Sequence, residues 1–333
     1  YADAGGNIMD MNGVLIEGEK AVVDTDDLDN RKPGSYTVSL NYTDAAGKEA
    51  PPLTRTVHVV DTTAPVLTVN GEAVLKLMVG DTFDHLSDPG AKFTDNVDEE
   101  RDVYYSMPPS AINGLVLHLD ADSLGEIYTD GAVMDNGWPD LSGKGNDASN
   151  VRGDPTWKSG GLDGVSTVNF DGDDMIWTSK DFESDLASHT ILTVARYTGG
   201  DNERVISTRG RNWLFGFHGN NTGRWFAEGW IYNQGSADTE WHLHIGDINN
   251  KDQANFWRDG IQLATNANGA NDNNYKPRVI QLGGWEADRE MAKCEVSEVI
   301  LFDRVLSERE YQGLSQHLQG KYSFNFGTKQ LVD

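Results

Sequence analysis

Between Ile112 and Tyr322 the sequence alternates short runs of β-branched and aromatic residues with loops rich in Gly, Asn and Asp. Runs of this kind, bounded by turn residues, are typical of β-strands. Helical segments do not separate the runs, so the chain lacks the βαβ pattern of a parallel α/β fold. The alternation therefore predicts an all-β domain in which two sheets pack face to face as a sandwich.

Two local signals refine this prediction. The Asp-Gly pair at 259–260, inside the run FWRDGIQL, is typical of a two-residue type I′ hairpin. Near the end of the sandwich, Ser307 is a favourable N-cap and Glu310 completes a capping box. Leu314 and Leu318 continue one apolar face, so we expect a single amphipathic helix that covers the sandwich.

The first 110 or so residues also consist of short strand-like runs separated by turn residues. In SYTVSLNY the large residues alternate with small polar ones, which places Val38 and Leu40 on one face of a half-buried strand. This part of the chain is therefore predicted to be a β-structure separate from the larger sandwich.

Three strings in this part, GSYTVSLNYTDAAGK, APVLTVNG and DPGAKFTDNVDE, resemble the immunoglobulin-like repeats of large bacterial surface proteins. The resemblance implies one repeat over residues 1–61, incomplete at its start, and the first half of a second repeat over 62–110. Two explanations of the half repeat stay open. It is truncated, or it is a split domain whose closing strands come from the tail, residues 323–333, or from chain beyond Asp333.

The larger segment, residues 111–322, carries the motifs GLVLHLDADS, WPDLSGKGNDA, FWRDGIQLA and VSEVILFDRVLSEREYQGLSQHLQGKY in that order. They resemble laminin-G-like domains with a concanavalin A-like jelly roll. Together with the repeats, they resemble the ligand-binding region of a repeat-containing (RTX) bacterial adhesin. The resemblance implies an extracellular, cell-surface location, calcium-stabilised domains and a role in attachment or biofilm formation.

The formal net charge of -26 argues against nucleic acid and anionic membranes as partners, because both require clusters of Lys and Arg. A divalent cation, a cationic surface or a salty solvent that screens self-repulsion suits such a charge, and plain solubility is the alternative. No apolar run is long enough to cross a bilayer, and no signal peptide opens the sequence. We therefore expect a monomeric module within a longer chain, without membrane insertion. The single cysteine, Cys294, excludes an intrachain disulfide.

Several loops contain acidic residues next to Gly or Asn, the composition of calcium-binding loops. Ca²⁺ binds about six to eight oxygen ligands, mostly carboxylates and carbonyls. The alternative is that these residues form solvated turns in which the side chain bonds its own backbone. The candidate calcium ligands are Asp61, Asp95, Asp98, Asp130, Asp171 and Asp173.

If each strand reverses the direction of the last, the loops divide between two ends of the sandwich. One set is rich in Arg, Trp and Tyr and comprises 121–164, 209–212, 230–240, 259–260 and 284–293. The other is rich in Asn, Asp and Gly and comprises 171–174, 198–203, 218–223, 247–252 and 266–277. Because Trp, Tyr and Arg are enriched at binding hot spots, the first set is predicted to bind the ligand.

Sugar recognition pairs an aromatic platform with planar polar groups, so the first set predicts a shallow glycan site. Its candidate residues are Arg211, Trp230, Tyr232, Gln234, Trp285 and Glu286. The alternative is that the tryptophans begin or end strands and plug the sandwich.

A catalytic role is not supported by the sequence. Glycosidases on this fold carry an E-x-D-x-E type of run, which supplies the acid and the nucleophile. Here Glu183 and Asp185 begin such a run, but Ala187 follows. The sequence therefore predicts a non-catalytic, lectin-like module that binds glycans. Two alternatives remain: a polysaccharide-active enzyme or its accessory domain, and a protein-binding or structural spacer.

Overall fold

The computed structural model describes residues 5–10, 12–25, 27–81, 88–97, 101–103, 105–249, 253–267 and 275–322. The chain forms two compact units. One comprises Tyr1–Asp81 with Pro89–Val103, and the other comprises Thr82–Asp88 with Tyr104–Asp333. Within the described residues, no helix is long and apolar enough to span a bilayer.

The first unit contains three small antiparallel sheets, β1–β2, β3–β4–β5 and β6–β7–β8. Their strands are β1 (Asn7–Met9), β2 (Leu15–Lys20), β3 (Val22–Asp24), β4 (Gly34–Asn41), β5 (Leu53–Val59), β6 (Val66–Val69), β7 (Ala91–Thr94) and β8 (Arg101–Val103). Val38 and Leu40 on β4 are buried, as the alternation of the sequence predicted. The proposed return of residues 323–333 to the half repeat lies outside the described residues.

The second unit contains a seven-stranded antiparallel sheet in the order β10–β13–β22–β15–β16–β17–β18. The strands are β10 (Asn150–Arg152), β13 (Met175–Trp177), β15 (Ile206–Arg209), β16 (Trp213–His218), β17 (Asn221–Ala227), β18 (Trp230–Tyr232) and β22 (Val279–Leu282).

Facing it is an eight-stranded antiparallel sheet in the order β11–β12–β23–β14–β19–β20–β21, with β9 also paired to β23. The strands are β9 (Leu115–Asp120), β11 (Thr156–Leu162), β12 (Val165–Asp171), β14 (Ser188–Asn202), β19 (His242–Asn249), β20 (Ala254–Arg258), β21 (Ile261–Ala267) and β23 (Ala292–Phe302).

One continuous core lies between these two sheets. Phe215 and Trp225 of the seven-stranded sheet pack on Phe256 of the eight-stranded sheet, with ring centroids 5.5 and 5.6 Å apart. Such aromatic side chains bury large apolar areas and dominate core energetics. The sheets and their shared core confirm the predicted all-β fold with a two-sheet sandwich.

The two local predictions are also confirmed. Arg258 pairs with Ile261, and both residues of the turn between them have a positive φ, as a type I′ hairpin requires. Helix α1 (Glu308–Lys321) begins with the capping box of Ser307 and Glu310. Its apolar face joins a second hydrophobic cluster with residues of the eight-stranded sheet, so α1 covers that sheet from outside.

The assignment of loops to the two ends of the sandwich requires a correction. Residues 230–232 form β18, whereas the sequence predicted a single loop over 230–240. Because successive strands from β14 onwards reverse direction, one overlooked strand shifts every later loop to the wrong end. This correction applies to 230–240, 247–252, 259–260, 266–277 and 284–293.

The register of the sheet places the ends unambiguously. Ile206 lies opposite Leu282, and Arg209 lies opposite Val279. The chain that follows Leu282 therefore starts beside residues 203–205, at the end that also carries the 219–220 turn. We call this the Gly219 end, and the opposite end, with residues 210–212, the Gly210 end.

Candidate functional site

Glu203 lies in the short connection between β14 of the eight-stranded sheet and β15 of the seven-stranded sheet. The hydroxyl of the buried Tyr197 donates a hydrogen bond to the Glu203 carbonyl oxygen over 2.6 Å. Tyr197 also packs edge-on against Phe217, with ring centroids 5.1 Å apart. The backbone of Glu203 is thereby fixed to the core, while its side chain stays partly exposed.

His218 is the last residue of β16. The tight turn that follows uses Gly219 and Asn220, with φ of 58° and 61°. These left-handed conformations match a type I′ hairpin, in which Gly and Asn carry the least strain. Since Phe217 points into the core, the strand alternation turns His218 to the outer face of the sheet.

Glu290 reaches the same place from the loop that joins β22 to β23. Gly283 donates its N–H to the Val205 carbonyl over 2.9 Å, and Arg204 donates its N–H to the Glu290 carbonyl over 3.1 Å. Arg204 Nε also donates to Glu290 Oε2. Residues 283–291 are therefore anchored at the Gly219 end by backbone and side-chain bonds.

These three residues form what we call the His218 cluster: Glu203, His218 and Glu290. His218 Nε2 lies 3.5 Å from Glu203 Oε2 and 3.4 Å from Glu290 Oε2. Burial, followed by the charge of Arg204, lowers the pKa of His218 below its usual value. Burial therefore favours the neutral form of the imidazole, which has a carboxylate on two sides.

A cavity of about 580 Å³ opens beside the cluster. It is lined by Gly172, Gly200, Glu203, Glu290, Met291 and Lys293. Both glycines have a positive φ, and a Cβ on either would come within 3.1 Å of the Lys293 side chain. The two glycines thus make room for the lysine stem at the cavity wall.

Trp230 lies on the outer face of the sheet next to this cluster. It is 39% exposed, and it is the one exposed tryptophan of nine, all of which lie in the described residues. Its ring centroid is 6.0 Å from that of His218 and 5.1 Å from that of Phe226. The aromatic surface of Trp230 therefore continues into the His218 cluster.

Three predicted site residues meet at the Gly210 end. Trp285 Nε1 donates to the Arg211 carbonyl over 3.1 Å, and Glu286 Oε1 accepts from the Gly210 N–H over 2.8 Å. The Arg211 side chain is 7% exposed and is paired with Glu183 over 2.6 Å. These contacts fold the 283–291 loop back across the outer face of the sheet and tie Trp285 and Glu286 to Arg211 and Gly210.

The remaining predicted residues lie on and after β18. Tyr232 is half-buried, with its ring 6.3 Å from that of Phe256. Gln234 is exposed. Trp230 is thus the predicted residue that lies beside the His218 cluster, whereas Trp285 connects to the cluster through Arg204.

No member of the His218 cluster was among the site residues predicted from the sequence. Glu203 and Glu290 are far apart in sequence, and each stands in an acid-rich loop that resembles solvated surface. Counting the strands could have predicted that they lie together. If β18 is included and each strand reverses direction, residues 203, 218 and 290 all fall at the Gly219 end.

Three predicted calcium ligands bond to backbone N–H groups instead of converging on one point. Asp61 Oδ1 and Asp95 Oδ1 each accept the N–H two residues later over 2.9 Å, the pattern of an Asx turn. Asp130 Oδ1 accepts the Ser159 N–H over 2.9 Å. Asp98 lies outside the described residues.

The other two, Asp171 and Asp173, stand in an acidic turn at the Gly219 end. One carboxylate oxygen of each of Asp154, Asp173 and Asp174 lies within 4.8 Å of the other two. The hydrogen bond and the charge of Asp171 raise the pKa of Asp173. Burial raises the pKa of Asp174 to about 6, although it accepts N–H groups from Asp154 and Asp171.

The loop between β18 and β19 is held by a second imidazole. His242 Nε2 lies 2.8 Å from Asp238 Oδ1, and its Nδ1 lies 2.6 Å from Asp259 Oδ2. Burial alone would lower the pKa of His242, but the two carboxylates raise it. The next imidazole, His244, is buried and accepts the Gly223 N–H over 3.1 Å.

No family model matches the sequence, and no curated protein matches it. Domain 4 of AbnA, a GH43 extracellular arabinanase from Geobacillus stearothermophilus solved in complex with arabinotriose, is 12% identical, with a TM-score of 0.42 over 60% of this chain and 96% of that domain. A botulinum neurotoxin type C structure, described by its dependence on two ganglioside molecules for cell entry, is 12% identical, with a TM-score of 0.43 over 63% of this chain and 51% of the toxin chain. Trypanosoma rangeli sialidase is 14% identical, with a TM-score of 0.41 over 65% of this chain and 34% of the sialidase. Similarity at this level carries no inference about ligand or activity.

Proposed function

We propose that the sandwich is a non-catalytic carbohydrate-binding module whose site is formed by Trp230, the His218 cluster and the adjoining cavity. The observation that carries the proposal is the position of Trp230. The exposed indole lies 6.0 Å, ring centroid to ring centroid, from an imidazole that is itself flanked by two carboxylates. An apolar platform next to fixed polar acceptors is a general feature of small-molecule sites.

The chemistry of this surface fits a sugar ring. One face of a pyranose carries C–H groups that can lie on an indole, while hydroxyl groups project from its rim. The oxygens of Glu203 and Glu290 are acceptors for such hydroxyls, and charged acceptors form the stronger hydrogen bonds. Lys293 at the cavity wall supplies a donor.

Other residues of the predicted site hold the loop that carries Glu290. Arg204 joins Trp285 to Glu290, and the bonds from Trp285 and Glu286 tie the middle of the same loop to Arg211 and Gly210. A loop fixed in this way keeps Glu290 in place before the ligand arrives, which reduces the entropic cost of binding.

A second candidate function has one observation in its favour. Carboxylate oxygens of Glu203 and Glu290 can approach within 4.8 Å of each other, and glycosidases act through a pair of nearby carboxylates. Against it, the bond from Arg204 to Oε2 of Glu290 favours the ionised carboxylate and so disfavours Glu290 as a general acid. Binding without turnover is therefore the better match.

The cellular setting that we propose follows from the sequence resemblance. A glycan-binding sandwich beside repeat-like units suits an adhesin on the bacterial surface that attaches to cellular or extracellular polysaccharide. We propose that calcium binds at the turn of Asp171 and Asp173, where the two carboxylates lie close enough for Asp171 to raise the pKa of Asp173. A cation at this turn would relieve their repulsion.

A glycan array followed by calorimetry on the best ligand tests the binding proposal, and incubation with a labelled polysaccharide panel tests turnover. We expect saturable binding that weakens at least tenfold in Glu203→Gln, and no product release. Products that disappear in Glu203→Gln would establish the hydrolase instead. Failure of every glycan to bind would contradict both.

A further inference from the structure

The distances within the His218 cluster are unusual for hydrogen bonds. His218 Nε2 lies 3.5 Å from Glu203 Oε2 and 3.4 Å from Glu290 Oε2. Direct N–H···O bonds have their most frequent length at about 2.9–3.0 Å. Two ligands that each lie about 2.0–2.1 Å from a tetrahedral metal ion are separated by about 3.4 Å. The two distances from His218 are therefore those of neighbouring ligands around a metal ion.

We propose that Glu203, His218 and Glu290 bind one first-row divalent transition-metal ion, with Zn²⁺ as the best match. One ligand atom of each residue lies within 4.8 Å of the other two. Imidazole and carboxylate together suit Zn²⁺ and its neighbours, whereas Ca²⁺ and Mg²⁺ prefer oxygen alone. The site is thus distinct from the acidic turn proposed to hold calcium.

The ligands are held in place by their surroundings. Arg204 orients the Glu290 carboxylate, and it is itself fixed by bonds to the Trp213 carbonyl over 3.2 Å and to Asn212 Oδ1 over 2.8 Å. Such outer contacts orient metal ligands and sustain affinity. A site that is already assembled loses little conformational freedom when the ion binds.

The fourth position of a tetrahedral ion would face the cavity, because two of its three ligands line that cavity. Three protein ligands with one open position is the pattern of zinc sites that bind water or an exogenous ligand. A hydroxyl of the bound molecule could take this position. The metal inference does not depend on the proposed function, since it can be tested without any sugar.

The test is a calorimetric titration of the full, chelator-treated chain with ZnCl₂. We expect one ion per chain, with at least tenfold weaker binding in His218→Gln and in Glu203→Gln. Two controls are expected to bind Zn²⁺ like the wild type: His58→Gln, an exposed histidine in the first unit, and Asp173→Asn in the acidic turn.

Absence of stoichiometric Zn²⁺ binding would overturn the proposal, as would unchanged binding in a folded His218→Gln variant. A second measurement needs no variant, which matters if the substitutions prevent folding. Co²⁺ added to the wild type is expected to give the intense visible absorption of tetrahedral coordination. The weak spectrum of octahedral Co²⁺ would contradict the site.

Discussion

The guanidinium carbon of Arg204 lies 4.2 Å from the ring centroid of Trp285, while its Nε donates to Glu290. One buried arginine therefore connects the loop 283–291 to the carboxylate of the candidate site. Trp285, which the sequence suggested as a ligand contact, is by this geometry a positioning residue. The indole of Trp285 packs against Arg204, and Arg204 in turn donates a hydrogen bond to Glu290.

The first prediction concerns this arginine. Arg204→Met removes the partner of Glu290 and leaves the Asn212 side chain and the Trp213 carbonyl without their donor. We expect the free energy of unfolding to fall by about 1–3 kcal/mol, because the buried Trp213 carbonyl loses its hydrogen-bond donor. Urea denaturation measures this. Arg289→Met, an exposed arginine 6.0 Å from the same indole, should change stability by less than about 0.5 kcal/mol.

The second prediction concerns acid stability. Buried Glu298 bonds His118 over 2.7 Å and Lys321 over 3.0 Å, and these contacts join α1 to the sheet. Burial alone would raise its pKa, but His118 and Lys321 lower it to about 2. Because the folded-state pKa lies below that of the unfolded chain, the stabilisation is complete above about pH 4.5 and disappears as the pH falls towards 2.

Glu298→Gln tests this contribution. We expect it to cost about 3–5 kcal/mol at pH 7, since it leaves buried partners unpaired. The difference from the wild type should shrink between pH 4.5 and 2 in denaturation curves recorded across that range. A difference that stays constant over the range would refute the assignment, and exposed Glu126→Gln is the control.

The third prediction concerns His242, which lies between Asp238 and Asp259. Its pKa is raised in the folded state, so its contribution is complete below the unfolded value and disappears as the pH rises through the folded value. His242→Gln should cost about 1–3 kcal/mol at pH 5.5 and less at pH 9. Thermal unfolding at the two pH values measures this, and an equal cost at both would argue against a charged imidazole.

The fourth prediction concerns calcium. If the turn of Asp171 and Asp173 holds an ion, a calcium chelator should lower the melting temperature of the wild type, because a ligand bound only to the native state stabilises it. Asp173→Asn should be much less sensitive to the chelator. A wild-type melting temperature that is the same with and without chelator would eliminate calcium from this turn.

The fold could be predicted from local patterns because its determinants are local. The Asp-Gly pair at 259–260 specifies a hairpin, and Ser307 with Glu310 specifies the start of the helix. Alternating burial in β4 follows from a period of two. These signals act over a few residues, so a single sequence reveals them.

The site could be predicted only in part because its determinants are distant in sequence. The bond between Arg204 and Glu290 joins residues 86 apart, and no local pattern pairs them. The three-residue strand β18 is too short for an alternation of apolar and polar residues to be visible. Without this strand, every loop after it was assigned to the wrong end of the sandwich. The exposure of Trp230 was still predictable, because it follows from the position of an aromatic residue next to a loop.

The fifth prediction tests the central claim, that Trp230 forms the platform of a glycan site. Calorimetry with the best glycan from the array should give at least a tenfold weaker dissociation constant for Trp230→Ala, and a cooperative melting transition should show that this variant is folded. The control is Ile261→Ala, a more exposed apolar residue (66%) on the 259–260 hairpin, which should bind like the wild type. Wild-type affinity in Trp230→Ala would contradict the site.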